Sequence, residues 1–377
     1  MRWRVLLASL LLTIGAAAAH GQQRGPITLR GTVVDDSTGA PLPDAHVFLS
    51  GTLTGTTVSD SGRFRLTGVT AGAKRLYVTH VGYEARSVDL VLPPRDTTLT
   101  FSLRLRPAVL DAAAVTVSAP RDEDWYERLE RFKRLFVGDH RWAAQCRLLN
   151  PTVLSFDKTW WGRFEASARR PLRFVNRALG YRVTYYLKHF EQRGDILRWN
   201  GEPAFTALAP RDSAEAARWA ANRRAAFRGS LRHLMLALIA DRVEAEQFRL
   251  ARLPRAQALR QWDRGTERPI RRDRILSPAS DSLYALDVRG ALVVDYLGAP
   301  EAPAYVEWAD LQRAPRSSQR SYIRLNRHPI HVDAHGELVE PYGATLYRYF
   351  AFRQRVSTLL PQEYRPPGTP LAATTPD

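Results

Sequence analysis

The chain has a single cysteine, Cys146, and only four of its 55 cationic side chains are lysines: Lys74, Lys133, Lys158 and Lys188. One cysteine excludes a disulfide framework and cysteine-rich zinc sites. Cys146 itself reads as a small buried hydrophobe, the commoner fate of a lone thiol; a reactive or chain-pairing thiol is the alternative. Long apolar runs are also scarce. After the first 19 residues the best is Leu231 to Ala240, which carries Arg232 and His233 and falls short of the ~20 apolar residues of a bilayer span. No transmembrane segment is expected. What remains is globular in texture: 377 residues, 45% hydrophobic and 25% charged, a length for two domains or three.

The first residues are Met1-Arg2-Trp3-Arg4, followed by an apolar run from Val5 to Ala19 and then His20-Gly21-Gln22-Gln23. A basic start, a short apolar core and small residues before a polar stretch read as a secretory signal peptide over residues 1–21. Ala19 and Gly21 both suit the last position before cleavage. Gly21 is preferred, leaving Gln22 first. No cysteine follows the run, so no lipid anchor is expected there. The protein is therefore expected to be exported, periplasmic or associated with the outer membrane.

The net charge is +17, and residues 121–377 hold most of it, with 43 basic and 30 acidic side chains. The densest stretch, Arg249 to Arg274, has nine arginines against Asp263, Glu267 and Asp273. Such a patch suits anionic glycans, lipid head groups or nucleic acid. A solvated face laced with internal ion pairs is the plainer reading, and export argues against nucleic acid.

From Ile27 the chain turns to short β-prone runs: Ile27–Val34, Ala45–Leu49, Thr56–Val58, Arg63–Leu66, Arg75–His80, Arg86–Val91 and Thr97–Leu105. Thr97-Leu99-Phe101-Leu103-Leu105 alternates as a strand with one buried face does. Asp36-Ser37-Thr38-Gly39 and Asp60-Ser61-Gly62 are turn chemistry. Seven strands in about 80 residues suggest an antiparallel β-sandwich. Gly31-Thr-Val-Val-Asp35, Pro41-Leu42-Pro43-Asp44-Ala45, Gly51-Thr52, Gly55-Thr56, Asp60-x-Gly62-x-Phe64 and Gly82-Tyr83 then stand in order. This set closely resembles the carboxypeptidase regulatory-like domain, a transthyretin-like sandwich common in secreted proteins of Bacteroidetes-type bacteria. The resemblance covers residues 27–106 and implies a binding, folding or spacing module. It does not imply a peptidase, because that zinc chemistry needs an H-x-x-E pair and none of the nine histidines has one.

Residues 107–120 read as a linker. Val109 to Ala119 is similar to the segment joining this module to TonB-dependent outer-membrane receptors, but a barrel of about 22 strands needs more chain than follows. Residues 121–360 read as a mixed α+β domain, and Pro361 to Asp377 as a flexible tail. Asp122 to Gly138 is a helix with Trp125, Leu129, Phe132 and Phe136 on one stripe. Strands are expected at Thr152–Phe156, Trp161–Ala166, Leu172–Asn176, Tyr181–Phe190, Tyr322–Leu325 and Ile330–Asp333. Leu283–Val288 and Leu292–Leu297 are expected to form a hairpin at Arg289-Gly290. Helices are expected at Ser213–Arg228, Ser230–Ala240 and Phe350–Leu360. Leu148-Leu149-Asn150-Pro151, Pro171-Leu172-x-x-x-Asn176-x-x-Leu179-Gly180-Tyr181, Phe227-x-Gly229-Ser230-x-x-His233 and Leu360-Pro361-x-Glu363-Tyr364 resemble a second Bacteroidetes-type family that carries the same sandwich. That resemblance is looser and implies no activity.

One cluster invites chemistry: His328-Pro-Ile-His331-Val-Asp333-Ala-His335-Gly-Glu337. On a regular strand His331, Asp333 and His335 share a face and suit a metal. A β-turn at Asp333-Ala334-His335-Gly336 breaks that face and explains the aspartate and glycine better. Ser230 lacks the G-x-S-x-G frame of a nucleophile elbow. Trp160-Trp161 offers a sugar-stacking surface, although adjacent strand residues point to opposite faces. No catalytic, cofactor-binding or metal residue is assigned, and no cofactor is expected. The expectation is a non-catalytic periplasmic or outer-envelope binding or assembly protein acting through protein–protein contacts. A carbohydrate-binding module protein is the alternative, and an enzyme with an unrecognised site the third reading. The expected partner is accordingly an envelope protein or a surface glycan.

Overall fold

A computed structural model of the chain describes residues 27–93, 95–108, 122–157, 162–254 and 266–369. The expected signal peptide, most of the expected linker, Trp160-Trp161, the middle of the Arg249–Arg274 stretch and residues 370–377 lie outside the described residues.

All seven expected strands of the first module form: β1 (Ile27–Asp35), β2 (His46–Leu49), β3 (Gly55–Thr57), β4 (Arg63–Val69), β5 (Gly72–Thr79), β6 (Arg86–Leu92) and β7 (Thr97–Leu105). They make two sheets, ordered β4-β1-β7 and β3-β2-β5-β6. Between them lies a core of its own, with Leu29, Val33, Val47, Phe64, Leu66, Leu76, Val78 and Leu103 buried. The expectation of a wholly antiparallel sandwich needs one correction. β1 and β7 run parallel, from Ile27 opposite Thr97 to Asp35 opposite Leu105. The whole of the other sheet lies between them in sequence, so the long crossover that a parallel pair demands is already there. The two strands approach closely at Gly31, where a Cβ would sit 2.1 Å from the Phe101 carbonyl oxygen. Only glycine fits. Asp35 ties two of the motif segments together: its Oδ1 accepts the Ser37 and Thr38 N–H groups, and its Oδ2 accepts the Tyr83 hydroxyl at 2.7 Å.

The second region starts with α1 (Glu123–Phe136), capped by the Asp122 carboxylate on the Trp125 N–H. Gly138, at φ +101°, turns the chain away from its end. Leu129, Phe132 and Phe136 are buried against a sheet made of β8 (Cys146–Leu148), β9 (Leu154–Phe156), β10 (Arg163–Ala168), β11 (Leu172–Asn176), β12 (Tyr181–Arg193) and β13 (Ile196–Ala207). The order is β8-β11-β12-β10-β9, with β13 also paired to β12. Cys146 is buried in this core, and burial pushes its thiol up to about 12. That environment makes it an inert packing group.

Two helices follow, α2 (Ser213–Phe227) and α3 (Leu231–Ile239), broken at Gly229 where φ is +69°. All nine residues of α3 are buried. It packs among two further sheets, built from β14 (Phe248–Leu253), β15 (Arg268–Pro269), β16 (Leu276–Ser280), β17 (Leu283–Leu286), β18 (Ala291–Tyr296), β19 (Gln319–Leu325), β20 (Ile330–Asp333) and β21 (Ala344–Arg348). The orders are β15-β14-β18-β19-β21 and β16-β17-β20. The later region is thus mixed, with strands predominating.

The hairpin expected at Arg289-Gly290 does not form, because β17 and β18 join different sheets. Every residue of β18 is buried, so it needs a strand on each side, and it finds β14 and β19. The long closing helix also fails. α4 (Pro303–Trp308) packs on α5 (Tyr349–Arg353), and α5 stops after five residues. Beyond it the Thr358 hydroxyl bonds back to the Arg353 and Arg355 carbonyls, and the Ser357 hydroxyl bonds to the Val137 carbonyl. Those side chains compete with a helical ladder and win locally.

Candidate binding cleft and the junction beside it

The sandwich is joined to the second region by several independent contacts. The Gly51 N–H donates to the Pro203 carbonyl at 2.7 Å, and the Phe205 N–H donates to the Thr52 carbonyl at 3.1 Å. A loop of the sandwich therefore extends the edge of β13. Phe48 and Tyr77 pack on Tyr186 of β12, with ring centroids 5.2 to 5.3 Å apart. Beside them Glu202, buried, takes Lys188 at 2.6 Å and Arg75 at 3.1 Å. Burial raises the Glu202 carboxyl, but the hydrogen bond from Lys188 and the Arg75 charge leave it below its ordinary value.

The expected flexible tail is partly a clamp. The Gln362 N–H donates to the Gly51 carbonyl at 2.8 Å, and Glu363 Oε1 accepts the Leu53 N–H at 2.9 Å. From the other side Arg232 of α3 donates to the Pro361, Gln362 and Tyr364 carbonyls, and through Nε to the His335 carbonyl. A buried guanidinium aimed at main-chain oxygens fixes Pro361–Tyr364 in place.

Lys74 reaches this clamp from β5. It is 5% exposed and donates to Gln362 Oε1 at 2.9 Å. Burial pushes its amine down to about 8, with Asp333 opposing the shift. Asp333 is buried in turn, and burial raises its carboxyl against the pull of Lys74. Its Oδ1 accepts the His335 and Glu337 N–H groups, both at 2.9 Å, while Oδ2 has no hydrogen-bond partner among the described residues.

The histidine cluster resolves into separate duties. Asp333 closes the turn before Glu337. His335 donates from Nε2 to the Ala71 carbonyl of the sandwich at 2.7 Å; burial, reinforced by Lys74, pushes it to about 3 and keeps it neutral. His331 points elsewhere, donating its own N–H to Glu340 Oε2 at 2.7 Å and its Nδ1–H to Glu340 Oε1 at 2.6 Å. The turn prevails over the shared face.

The cleft itself, about 280 Å³, lies between the α2–α3 junction, the 336–346 turn and the segment after α5. Ser230, Arg232, Glu337, Glu340, Tyr342 and Arg353 supply its polar wall. Ser230 is the cap of α3 and accepts the His233 N–H at 3.1 Å. Arg353 donates to the Ala225 and Ala226 carbonyls, and burial pushes its guanidinium down to about 10. Glu337 opens onto the cleft, yet the protein walls around it raise its carboxyl by desolvation, with Arg232 opposing.

The residues of the second resemblance turn out to be joints. Asn150 bonds the Pro171 carbonyl and the Arg173 N–H; Asn176 bonds the Ala178 and Leu179 N–H groups and the Ser357 carbonyl. Gly180, at φ +71°, lets Trp219 pack where a Cβ would be 2.3 Å from the indole. His233 accepts the Gly229 N–H on Nδ1 and meets Glu246 through Nε2 at 3.1 Å. Sequence reasoning missed Lys74, Glu202 and Arg232 as partners, and it named Glu337 at the end of the histidine cluster without giving it a role. One signal was present: Lys74 stands two residues before Leu76 and four before Val78, on the inward parity of β5.

Residues 28–106 match the carboxypeptidase regulatory-like domain family. A search of curated proteins found no match. Among solved structures, 3-chlorocatechol 1,2-dioxygenase from Rhodococcus opacus is similar at 14% identity over 24% of this chain and 63% of that one, with a TM-score of 0.19. A chain of a type II cohesin–X-dockerin complex from Acetivibrio cellulolyticus is similar at 22% identity over 27% of this chain and 71% of that one, TM-score 0.19. The minor pilin GBS52 of Streptococcus agalactiae is similar at 18% identity over 26% and 48%, TM-score 0.19. Scores this low carry no argument about fold or function. The chain spans less than two thirds of the dioxygenase and of the pilin.

Proposed function

We propose that the protein is exported and works in the periplasm or at the outer envelope as a non-catalytic binding or assembly factor, in contact with another envelope protein. The observation that carries this reading is how the chemistry-bearing side chains around the cleft are used. Ser230 caps a helix, Arg232 and Arg353 hold main-chain carbonyls, Asp333 closes a turn and His335 grips the sandwich. A nucleophile or base in a reaction must be free to exchange partners, and these groups are committed to bonds that hold the second region in shape and, through His335, to the sandwich. The signal-peptide pattern supports export. In this reading residues 27–106 brace a second region that does the binding. On the sandwich, β6 ends its sheet with no further strand among the described residues, and Val81 beside it is 92% exposed. A second ligand class, surface glycan, is favoured by the exposed Tyr342 ring beside Arg198 and Arg324.

The test incubates the metal-replete mature chain with peptide, ester and glycan substrate panels. No turnover is expected. Turnover that disappears in Glu337→Gln or in His331→Ala overturns the reading. In parallel, cross-linking in intact cells should capture one envelope protein reproducibly, and capture should persist in the Glu337→Gln variant.

A further inference from the structure

A second, shallower hollow of about 550 Å³ adjoins the cleft and shares Tyr342 with it. Its other lining residues are Arg198 of β13, Arg324 and Leu325 of β19, and Asn326 just beyond. It therefore bridges the sheet that receives the sandwich and the sheet that ends in β21.

Three features distinguish it from an ordinary surface dip. First, neither of its two cations makes an ion pair among the described residues: Arg198 is exposed and lies across from Glu191 in the β12–β13 pairing without bonding it, and Arg324 is half-buried. Arg324 instead lies over the Tyr347 ring at 5.9 Å. The one neighbouring acid that acts on Tyr342, Glu191, is taken by Arg163 at 3.2 Å and His189 at 3.5 Å. Second, Tyr342 is 40% exposed and has φ +58°, the left-handed region that a bulky side chain rarely occupies. Third, Asn326 holds it there. Its Nδ2 donates to the Tyr342 carbonyl at 2.8 Å, its N–H donates to the Gly343 carbonyl at 2.8 Å, and its Oδ1 accepts the Thr345 hydroxyl at 3.0 Å. Strain of this kind persists where the surroundings over-determine it, and it gathers at ligand sites.

A ring held out beside two unpaired guanidinium groups suits a particular chemistry. The face of a pyranose, with its C–H groups, packs on an aromatic ring, and a guanidinium fork takes a carboxylate or phosphate in a bidentate pair. We infer that the hollow formed by Arg198, Arg324, Asn326 and Tyr342 is a binding site for an anionic saccharide, a sugar unit bearing a carboxylate or phosphate. The inference rests on the glycan reading above and names the class of sugar; it does not depend on the protein-contact reading.

The full mature chain is titrated calorimetrically at low salt with oligogalacturonate, glucose 6-phosphate, a neutral galacto-oligosaccharide of matched length, and anionic phospholipid vesicles. The uronate and phosphate arms tell the two sources of negative charge apart. Either acidic sugar should bind roughly tenfold more tightly than the neutral one, the worth of one charge-assisted hydrogen bond, and should weaken as salt rises. Arg198→Ala should abolish that preference, Tyr342→Ala should weaken every sugar, and Tyr342→Phe should bind as the parent does. Tyr342→Gly removes the ring and relaxes the backbone, so binding lost with an unchanged or raised Tm excludes misfolding as the cause. Equal affinity for neutral and acidic sugars overturns the inference and leaves the glycan reading standing. Absence of all sugar binding overturns both. Binding of vesicles alone, or acidic-sugar binding untouched by Arg198→Ala and Tyr342→Ala, also overturns it.

Discussion

Replacing Lys74 by methionine tests the junction directly. In the folded chain its amine is pushed from 10.5 to about 8, first by burial. A shift of that size corresponds to roughly 3 kcal/mol of penalty for keeping the amine charged in place. The folded value lies below the unfolded one, so the penalty is complete below about pH 8 and fades as pH rises toward 10.5, where the unfolded chain still binds the proton that the folded chain has lost. Wild-type stability should therefore climb, relative to Lys74→Met, by up to about 1.4 kcal/mol per pH unit across that window. At neutral pH the methionine removes the penalty but leaves Gln362 Oε1 without its donor and Asp333 without the positive charge that acts on it most. These losses are of similar size, so the two proteins should agree within about 2 kcal/mol near pH 7. The assay is urea unfolding of both proteins at several pH values from about 7 to 10, with m-values compared to check that the transition stays two-state. If the two stability curves run parallel, Lys74 titrates as a solvated lysine and the buried junction is refuted.

Glu202→Gln should destabilise by about 2 kcal/mol, less than a fully buried pair because Arg75 and Lys188 are partly solvated, and thermal unfolding measures it. Export should remove residues 1–21, so N-terminal sequencing of the envelope fraction should begin at Gln22. A fragment of residues 27–106 should fold alone on its separate core, with dispersed amide resonances and a Lys74 amine that titrates like that of a free lysine.

The sandwich was readable because its signals are local. Strand alternation and Gly- and Asp-bearing turns lie within a few residues of one another, and all seven strands fell where they pointed. The strand Ile196–Ala207 was invisible for the opposite reason. Gly201 and Pro203 interrupt it, and it holds because β12 pairs along nearly its whole length while Pro203 spends its free carbonyl on Gly51. The stretch from Leu283 to Leu297 looked like a hairpin because proximity in sequence is the usual guide, whereas β18 was drawn to the middle of another sheet by its two buried faces. The junction was the least legible part. Lys74 and Gln362 are 288 residues apart, and a lysine, an arginine and a tail glutamine each read as solvated until burial makes partners of them. The Asp333–Gly336 turn was legible because aspartate and glycine at those spacings carry a local geometry of their own.

The clamp at Gly51 through Thr54 also sets an order of events along the growing chain. The sandwich has its core complete once Leu105 is made, but the carbonyl and N–H groups of its docking loop meet Gln362 and Glu363 some 310 residues later. Contacts so distant in sequence form late and slowly. Until then the Lys74 amine and the Arg232 guanidinium lack the tail oxygens that they bond in the folded chain. Docking of Pro361–Tyr364 then supplies partners to Lys74 and Arg232 together, so a segment made long after the sandwich adds the clamp to a junction that the β13 edge and the Tyr186 contacts already begin.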